Sequence, residues 1–152
     1  MPHIHEKIDY TVEVFIVYKN KVLLRMHDKH KIWLSVGGHI ELDEDPLQAA
    51  IREVKEEVGL EIKIVESAKI PDDVNYVGLI APKFLGMHQV NESHSHIVFV
   101  YFATSSNDKV IDSVSEHEKS ETCWCTKKEI EKMDLRPNVK FYALEALKEL
   151  SL

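Results

Sequence analysis

Apolar residues recur along this chain at two spacings, one near every second position and one near every third to fourth. Tyr10–Tyr18 is β-branched and aromatic apart from Glu13, which predicts a strand. Lys19-Asn20-Lys21 reads as a turn, and Val22–Met26 as a second strand completing a hairpin. After a polar loop at His27–Lys31, Ile32–Val36 predicts a short strand running into Gly37-Gly38, and His39–Leu42 another. The spacing then changes to that of a helix over about 46–58. Strands follow at Glu61–Ile70, Lys83–Val90 and Ile97–Ala103, with an irregular stretch at 71–82 and a polar joint at 91–96. Ser105–Ser120 reads as loop, Thr122–Cys125 as a last short strand, and Lys127–Met133 and Pro137–Leu150 as helices. The last helix carries a stripe of Phe141, Leu144, Leu147 and Leu150.

The helix at 46–58 has readable ends. Asp45 suits the N-cap, Pro46 the first helical position, and Gln48 completes a capping box. Gly59 supplies a left-handed stop. Wound at about 100° per residue, Leu47, Ala50, Ile51, Val54 and Val58 share a face that predicts the core side. Glu53, Glu56 and Glu57 converge on a different face.

Charge makes that helix the most informative part of the chain. Residues 38–60 hold seven acidic side chains and two basic ones, a formal −5 of the −7 carried by the whole protein. Glu56 and Glu57 also sit at the helix end where the dipole disfavours anions. Hard divalent cations are what such oxygen ligands collect. The acidic balance, without a basic stripe, argues against a nucleic-acid polymer as partner.

Composition adds bounds. At 152 residues with 44% apolar content, the chain predicts one globular domain, 1–152. No apolar run approaches 18 residues, so no membrane partner is expected. Met-Pro-His-Ile-His-Glu-Lys lacks the apolar stretch of a signal peptide, which predicts a cytoplasmic protein. Cys123 and Cys125, flanking Trp124, are too close for a comfortable disulfide and read as reduced packing residues.

Residues 38–60 also resemble a known motif, the Nudix box Gly-x5-Glu-x7-Arg-Glu-apolar-x-Glu-Glu-x-Gly-apolar. Gly38, Glu44, Arg52, Glu53, Val54, Glu56, Glu57, Gly59 and Leu60 stand at its specified positions. The resemblance, to the Nudix (MutT-type) hydrolases, implies an α/β/α sandwich around a central mixed β-sheet. It implies a Mg²⁺- or Mn²⁺-dependent pyrophosphohydrolase that cleaves a nucleoside diphosphate linked to another moiety. Glu56 and Glu57 are then expected as metal ligands with the backbone carbonyl of Gly38, and Glu53 as ligand or general base. Arg52 is expected to orient a box carboxylate, and Glu44 and Gly59 to hold the geometry of loop and helix. Relatives often draw a further carboxylate from a loop before a Trp-containing strand; here Glu118 is favoured over Glu121. One departure is Val36-Gly37-Gly38 where Pro-Gly-Gly is common. Proline would stiffen that turn but supplies no reactive atom.

Substrate contacts are harder to read. Arg25, in a Leu-Leu-Arg pattern, is expected to face substrate phosphates. Tyr76 has a spacing from Leu60 like that of a tyrosine in some dinucleoside-polyphosphate enzymes. His94 and His96 form a pair with no third metal ligand nearby in sequence, and are expected to line the substrate cleft instead. The substrate is expected to be a small nucleotide, and the oligomeric state stays open, a homodimer included. Two other readings weigh less. A noncatalytic ligand-sensing or protein-binding module of the same fold would usually lack box carboxylates, all present here. An isopentenyl-diphosphate-type isomerase would need an interior cysteine, and both cysteines come late.

Overall fold

The computed structural model describes residues 7–27, 30–68, 70–111 and 121–152. Among them, strands β1 (Ile8–Tyr18), β2 (Lys21–His27), β3 (Ile32–Leu34) and β4 (Val36–His39) precede helix α1 (Pro46–Val58). Strands β5 (Ile62–Ile64), β6 (Phe84–Asn91), β7 (His94–Ser105) and β8 (Thr122–Thr126) follow, then helices α2 (Lys127–Lys132) and α3 (Pro137–Leu150).

All eight strands join one mixed sheet organised around β1. Along one edge β1 pairs in parallel with β7, from Ile8 opposite Ser95 to Val17 opposite Thr104. Its other edge is shared: β4 pairs antiparallel with Thr11–Val14, and β2 with Val17–Tyr18. Strand alternation then sorts the core. Val12, Val14 and Ile16 pack with Ala50, Val54 and Val58 of α1. Phe15 and Val17 pack on the opposite face with Ile130 of α2 and Ala143 and Leu147 of α3. Helices thus cover both faces of a central mixed sheet, the sandwich expected. Burying each large apolar side chain contributes about 1.5–3 kcal/mol relative to leaving it exposed.

Several expectations shift in detail. Gly37 and Gly38 lie within β4 rather than before it, and residues 40–42 are not strand. A Cβ at Gly37 would sit 3.0 Å from the Val12 carbonyl carbon and closer still to its oxygen, so the absent side chain lets β4 lie against β1. Val36, where proline is common, is fully buried in β4 opposite Val14. The strand expected over 61–70 is only three residues long. The joint expected at 91–96 is shorter than expected, because His94 and His96 already belong to β7.

Two helix faces are corrected as well. Ile51 of α1 is 52% exposed and Phe141 of α3 is 49% exposed, whereas Ala49, Val139, Ala143 and Ala146 are buried. Around α1 the order of side chains runs Ala49, Glu53, Glu57, Ala50, Val54, Leu47, Val58. Glu53 and Glu57 therefore fall inside the buried arc, between two alanines, and not on a separate solvent face. Glu56 lies outside that arc.

Candidate active site

The start of α1 forms as its sequence dictates. Asp45 Oδ1 accepts from the backbone N–H groups of Leu47 (2.8 Å) and Gln48 (2.9 Å), and Gln48 Oε1 accepts from Asp45 N–H at 2.9 Å. Gly59 closes the helix at φ 68°. The preceding turn is tied by Glu44 Oε1, which accepts from Glu41 N–H at 2.9 Å.

Arg52 connects this turn to the helix. Its Nε and Nη2 donate to the two carboxylate oxygens of Glu44 at 3.0 and 2.6 Å, a forked pair. Nη2 also donates to the His39 carbonyl (2.9 Å), and Nη1 to Glu53 (2.9 Å) and Glu56 (3.2 Å). The guanidinium holds the Glu44 carboxyl below its ordinary pKa, and Glu44 and Glu53 hold Arg52 above its own.

Glu53 and Glu57 reach from α1 toward β4, with side chains 15% and 14% exposed, while Glu56 is 61% exposed. A Cβ at Gly38 would lie 2.5 Å from the Glu53 carboxyl carbon, so the glycine makes the space that carboxylate occupies. Glu57 accepts from the Gly37 N–H at 3.1 Å and pairs with Arg25 of β2. Burial nevertheless dominates: it pushes Glu57 up to about 7 against the pull of Arg25 and Gly37. Burial likewise raises Glu53 against the pull of Arg52. Two carboxyls held above their ordinary pKa by burial against Gly37 and Gly38 form a hard-oxygen set suited to a divalent cation.

Beside this set opens a cleft of about 530 Å³, lined among others by Arg25, Glu57, Gly37, Gly38, Glu13 and His96. Glu13 Oε2, Arg25 Nε and His27 Nδ1 are the buried side-chain polar atoms without a partner among the described residues. All three residues line the cleft. Buried polar groups are nearly always paired, so their convergence on one cavity marks a surface built for a polar ligand. Burial also raises the Glu13 carboxyl above its ordinary pKa.

The other residues singled out from sequence divide. His96 lines the cleft, and His94 pairs beside it with Asp9 at 3.0 Å. Tyr76 does not reach the cleft: it is 56% exposed on a turn bridged to Asp73. Glu118 lies outside the described residues. Glu121 is exposed just before β8, where its backbone oxygen accepts from Met26 N–H at 2.7 Å. Cys123 and Cys125 are free thiols, and Cys125 is buried in the core. Sequence reasoning missed Glu13, Asp9, His39 and His88. The available signal was the polar run Asp9, Thr11, Glu13 at alternate positions of an apolar strand.

The family model for the NUDIX domain matches residues 8–146. The chain belongs to the Nudix family. A Nudix hydrolase from Clostridium perfringens is similar in structure, with 37% identity, a TM-score of 0.81, and 94% of this chain and 98% of that chain covered. The dihydroneopterin triphosphate diphosphatase of Haemophilus influenzae is 32% identical over 130 residues, covering 84% of this chain and 78% of the relative. A C. elegans Ap4A hydrolase shares the fold, at 21% identity and TM-score 0.68 over 93% of this chain and 96% of that one. This Nudix protein is an enzyme of the pyrophosphatase class, in a family that acts on phosphoanhydride substrates.

Proposed function

We propose that this Nudix hydrolase is a Mg²⁺- or Mn²⁺-dependent pyrophosphohydrolase of a small nucleotide-like triphosphate or linked diphosphate, working as a single cytoplasmic domain. The observation that carries the reading is the approach of Glu53 and Glu57 to Gly37-Gly38, with Arg52 and Arg25 fixing one carboxylate each. Glu53, Glu56, Glu57 and the Gly38 carbonyl are the proposed metal ligands. When bound there, the ion would neutralise phosphate oxygens and lower the pKa of water.

The chain's own groups supply the rest. Arg52 orients Glu53 and, through the His39 carbonyl, steadies the strand that presents Gly38. Arg25 stands at the cleft wall, where its unpartnered Nε can donate to a phosphate oxygen. Glu53 or Glu118 is proposed as the base that takes the proton from the attacking water. His96 borders the space for the non-phosphate part of the substrate, with His94 beside it and Glu13 on the wall. Glu13 suits an N–H-rich heterocycle, which makes the pterin named for the Haemophilus relative a reasonable member of a test panel.

The test is turnover of nucleoside triphosphates, linked nucleoside diphosphates and dihydroneopterin triphosphate, with products identified, in Mg²⁺, Mn²⁺ or chelator. Turnover of at least one substrate that stops in chelator and returns with metal is expected. Full activity without metal, or no turnover of any of them, would remove the proposal. Glu118→Gln should lower kcat more than it raises KM, with Glu121→Gln as the milder comparison.

A further inference from the structure

Five side chains crowd one patch of sheet outside the carboxylate set. The pairing registers put them there. Asp9 of β1 is opposite His96 of β7, and His88 of β6 is opposite His96 on its other side. His94 lies two residues earlier on β7 and so on the same face. His39 of β4 is opposite Thr11, two residues along β1 from Asp9. The rings of His39, His94 and His88 stand 4.8, 5.2 and 6.4 Å from that of His96.

We infer that Asp9, His94 and His96 form a second metal site, of the kind that takes Zn²⁺, beside the cleft that His96 lines and separate from the hard-oxygen set. One ligand atom from each lies within 4.8 Å of the others. Tetrahedral Zn²⁺ with bonds of about 2.0–2.2 Å places its ligand atoms roughly 3.3 Å apart. Small side-chain rotations therefore bring the three into coordination distance. Strands hold the three backbones, which keeps the ligand positions defined.

The donor chemistry selects the ion. Two imidazoles and one carboxylate favour Zn²⁺ over Mg²⁺, which prefers oxygen ligands and keeps its waters. Three protein ligands leave a fourth position open. His39 Nε2 lies 3.7 Å from Asp9 Oδ2 and is the nearest candidate to fill it. Otherwise the open position is available to an anionic group of the cleft's ligand. His39 directly follows Gly38, and its carbonyl accepts from Arg52, so an ion held here would bear on the strand that carries the box glycine.

Zn²⁺ itself is the probe. The full chain, stripped with chelator and saturated with Mg²⁺, should bind one equivalent of Zn²⁺ by calorimetry. Co²⁺ in its place should give the visible bands of a four-coordinate nitrogen and oxygen site. His94→Gln and His96→Gln should each weaken Zn²⁺ binding by ~10²-fold or more, since even indirect partners of metal ligands are worth 10–100-fold. Asp9→Asn at a half-exposed position is the check that keeps the fold, verified by thermal melting. Glu57→Gln should leave this binding in place. Zn²⁺ affinity unchanged in all three site variants, lost instead in Glu57→Gln, or absent from the Mg²⁺-saturated protein would overturn the assignment. None of these outcomes depends on turnover, so the failure of this site and the failure of the proposed hydrolase activity can be told apart.

Discussion

The carboxylate of Glu53 occupies the volume where Gly38 would carry a side chain, with 2.5 Å between an added Cβ and the carboxyl carbon. The two residues belong to different elements, so any side chain at position 38 displaces the carboxylate from β4. Gly38→Ala should lower kcat by ~10²-fold or more, because a misplacement of about 1 Å has that effect at a reacting centre. The fold should persist with a loss of about 1–3 kcal/mol, typical of overpacking. Steady-state kinetics with thermal melts checks both. Unchanged kcat would show that the contact is dispensable.

Glu56 and Glu57 are neighbours in sequence with unequal roles in stability. Relief of repulsion at the helix end would suggest that removing either charge helps. For Glu57 burial adds to this: its carboxyl lies against Arg25 and the Gly37 N–H, yet burial outweighs both and disfavours the ionised form. At pH 7.5 in chelator Glu57→Gln should raise the stability of the metal-free protein by about 1–3 kcal/mol, since a neutral amide avoids the cost of ionising a buried carboxyl. Glu56→Gln should stay within about 0.5 kcal/mol of the parent. Denaturant titration in chelator separates the two, and equal effects would contradict the burial difference.

Arg52→Lys is not a conservative change here. A lysine cannot donate a fork to Glu44 and also reach Glu53 and the His39 carbonyl. The Mg²⁺ concentration for half-maximal activity should rise by ~10-fold or more, the range for loss of a group that orients metal ligands. Activity titrated against Mg²⁺ measures it. A lysine variant with the parent's Mg²⁺ dependence would reduce Arg52 to a surface ion pair.

Metal-free protein should lose stability as pH rises from about 5 to 7.5. Burial raises Glu57 from its ordinary 4.5 to about 7 in the folded state. Between those values the unfolded chain has released the proton and the folded chain still holds it. Unfolding is therefore increasingly favoured through that window, and the penalty levels off above it. At about 1.4 kcal/mol per pKa unit, the effect is on the order of 3 kcal/mol. Mg²⁺ should reverse the trend, because it binds the ionised form. Melting temperatures at pH 5 and 7.5, in chelator and in Mg²⁺, give the four values needed. A Mg²⁺-induced rise that is larger at pH 5 would refute the sign.

Much of the architecture was legible because local chemistry and pattern agreed. Asp45, Pro46, Gln48 and Gly59 bracket α1 at the observed residues. The alternation in β1 separates Val12, Val14 and Ile16 from Phe15 and Val17, as the two helical layers require. Periodicity failed where small residues stand in for large ones. Ala49 is buried and Ile51 is not, because α1 approaches the sheet on its alanine side to bring in Glu53 and Glu57. A hydrophobic pattern treats a carboxylate as solvent-facing, so it could not show these two inside the buried arc. The histidine patch was hidden for another reason. Its members come from β1, β4, β6 and β7, and only the pairing registers of β1 and β6 with β7, and of β4 with β1, bring Asp9, His39 and His88 to His94 and His96.

The parallel pairing of β1 with β7 also sets the order in which this protein can be made. Thr11 Oγ1 donates to the Ile97 carbonyl, a contact between residues 86 positions apart. During synthesis the first strand emerges long before its principal neighbour exists, and until then only its other edge, the one shared by β2 and β4, is paired. Long-range parallel pairing is slow and leaves strand edges open to other chains. A nascent chain arrested after α1 would hold every residue of the motif and still lack the strand that closes the sheet beside it. Dependence on chaperones should therefore be greatest at that stage of translation, and should fall once β7 has cleared the ribosome.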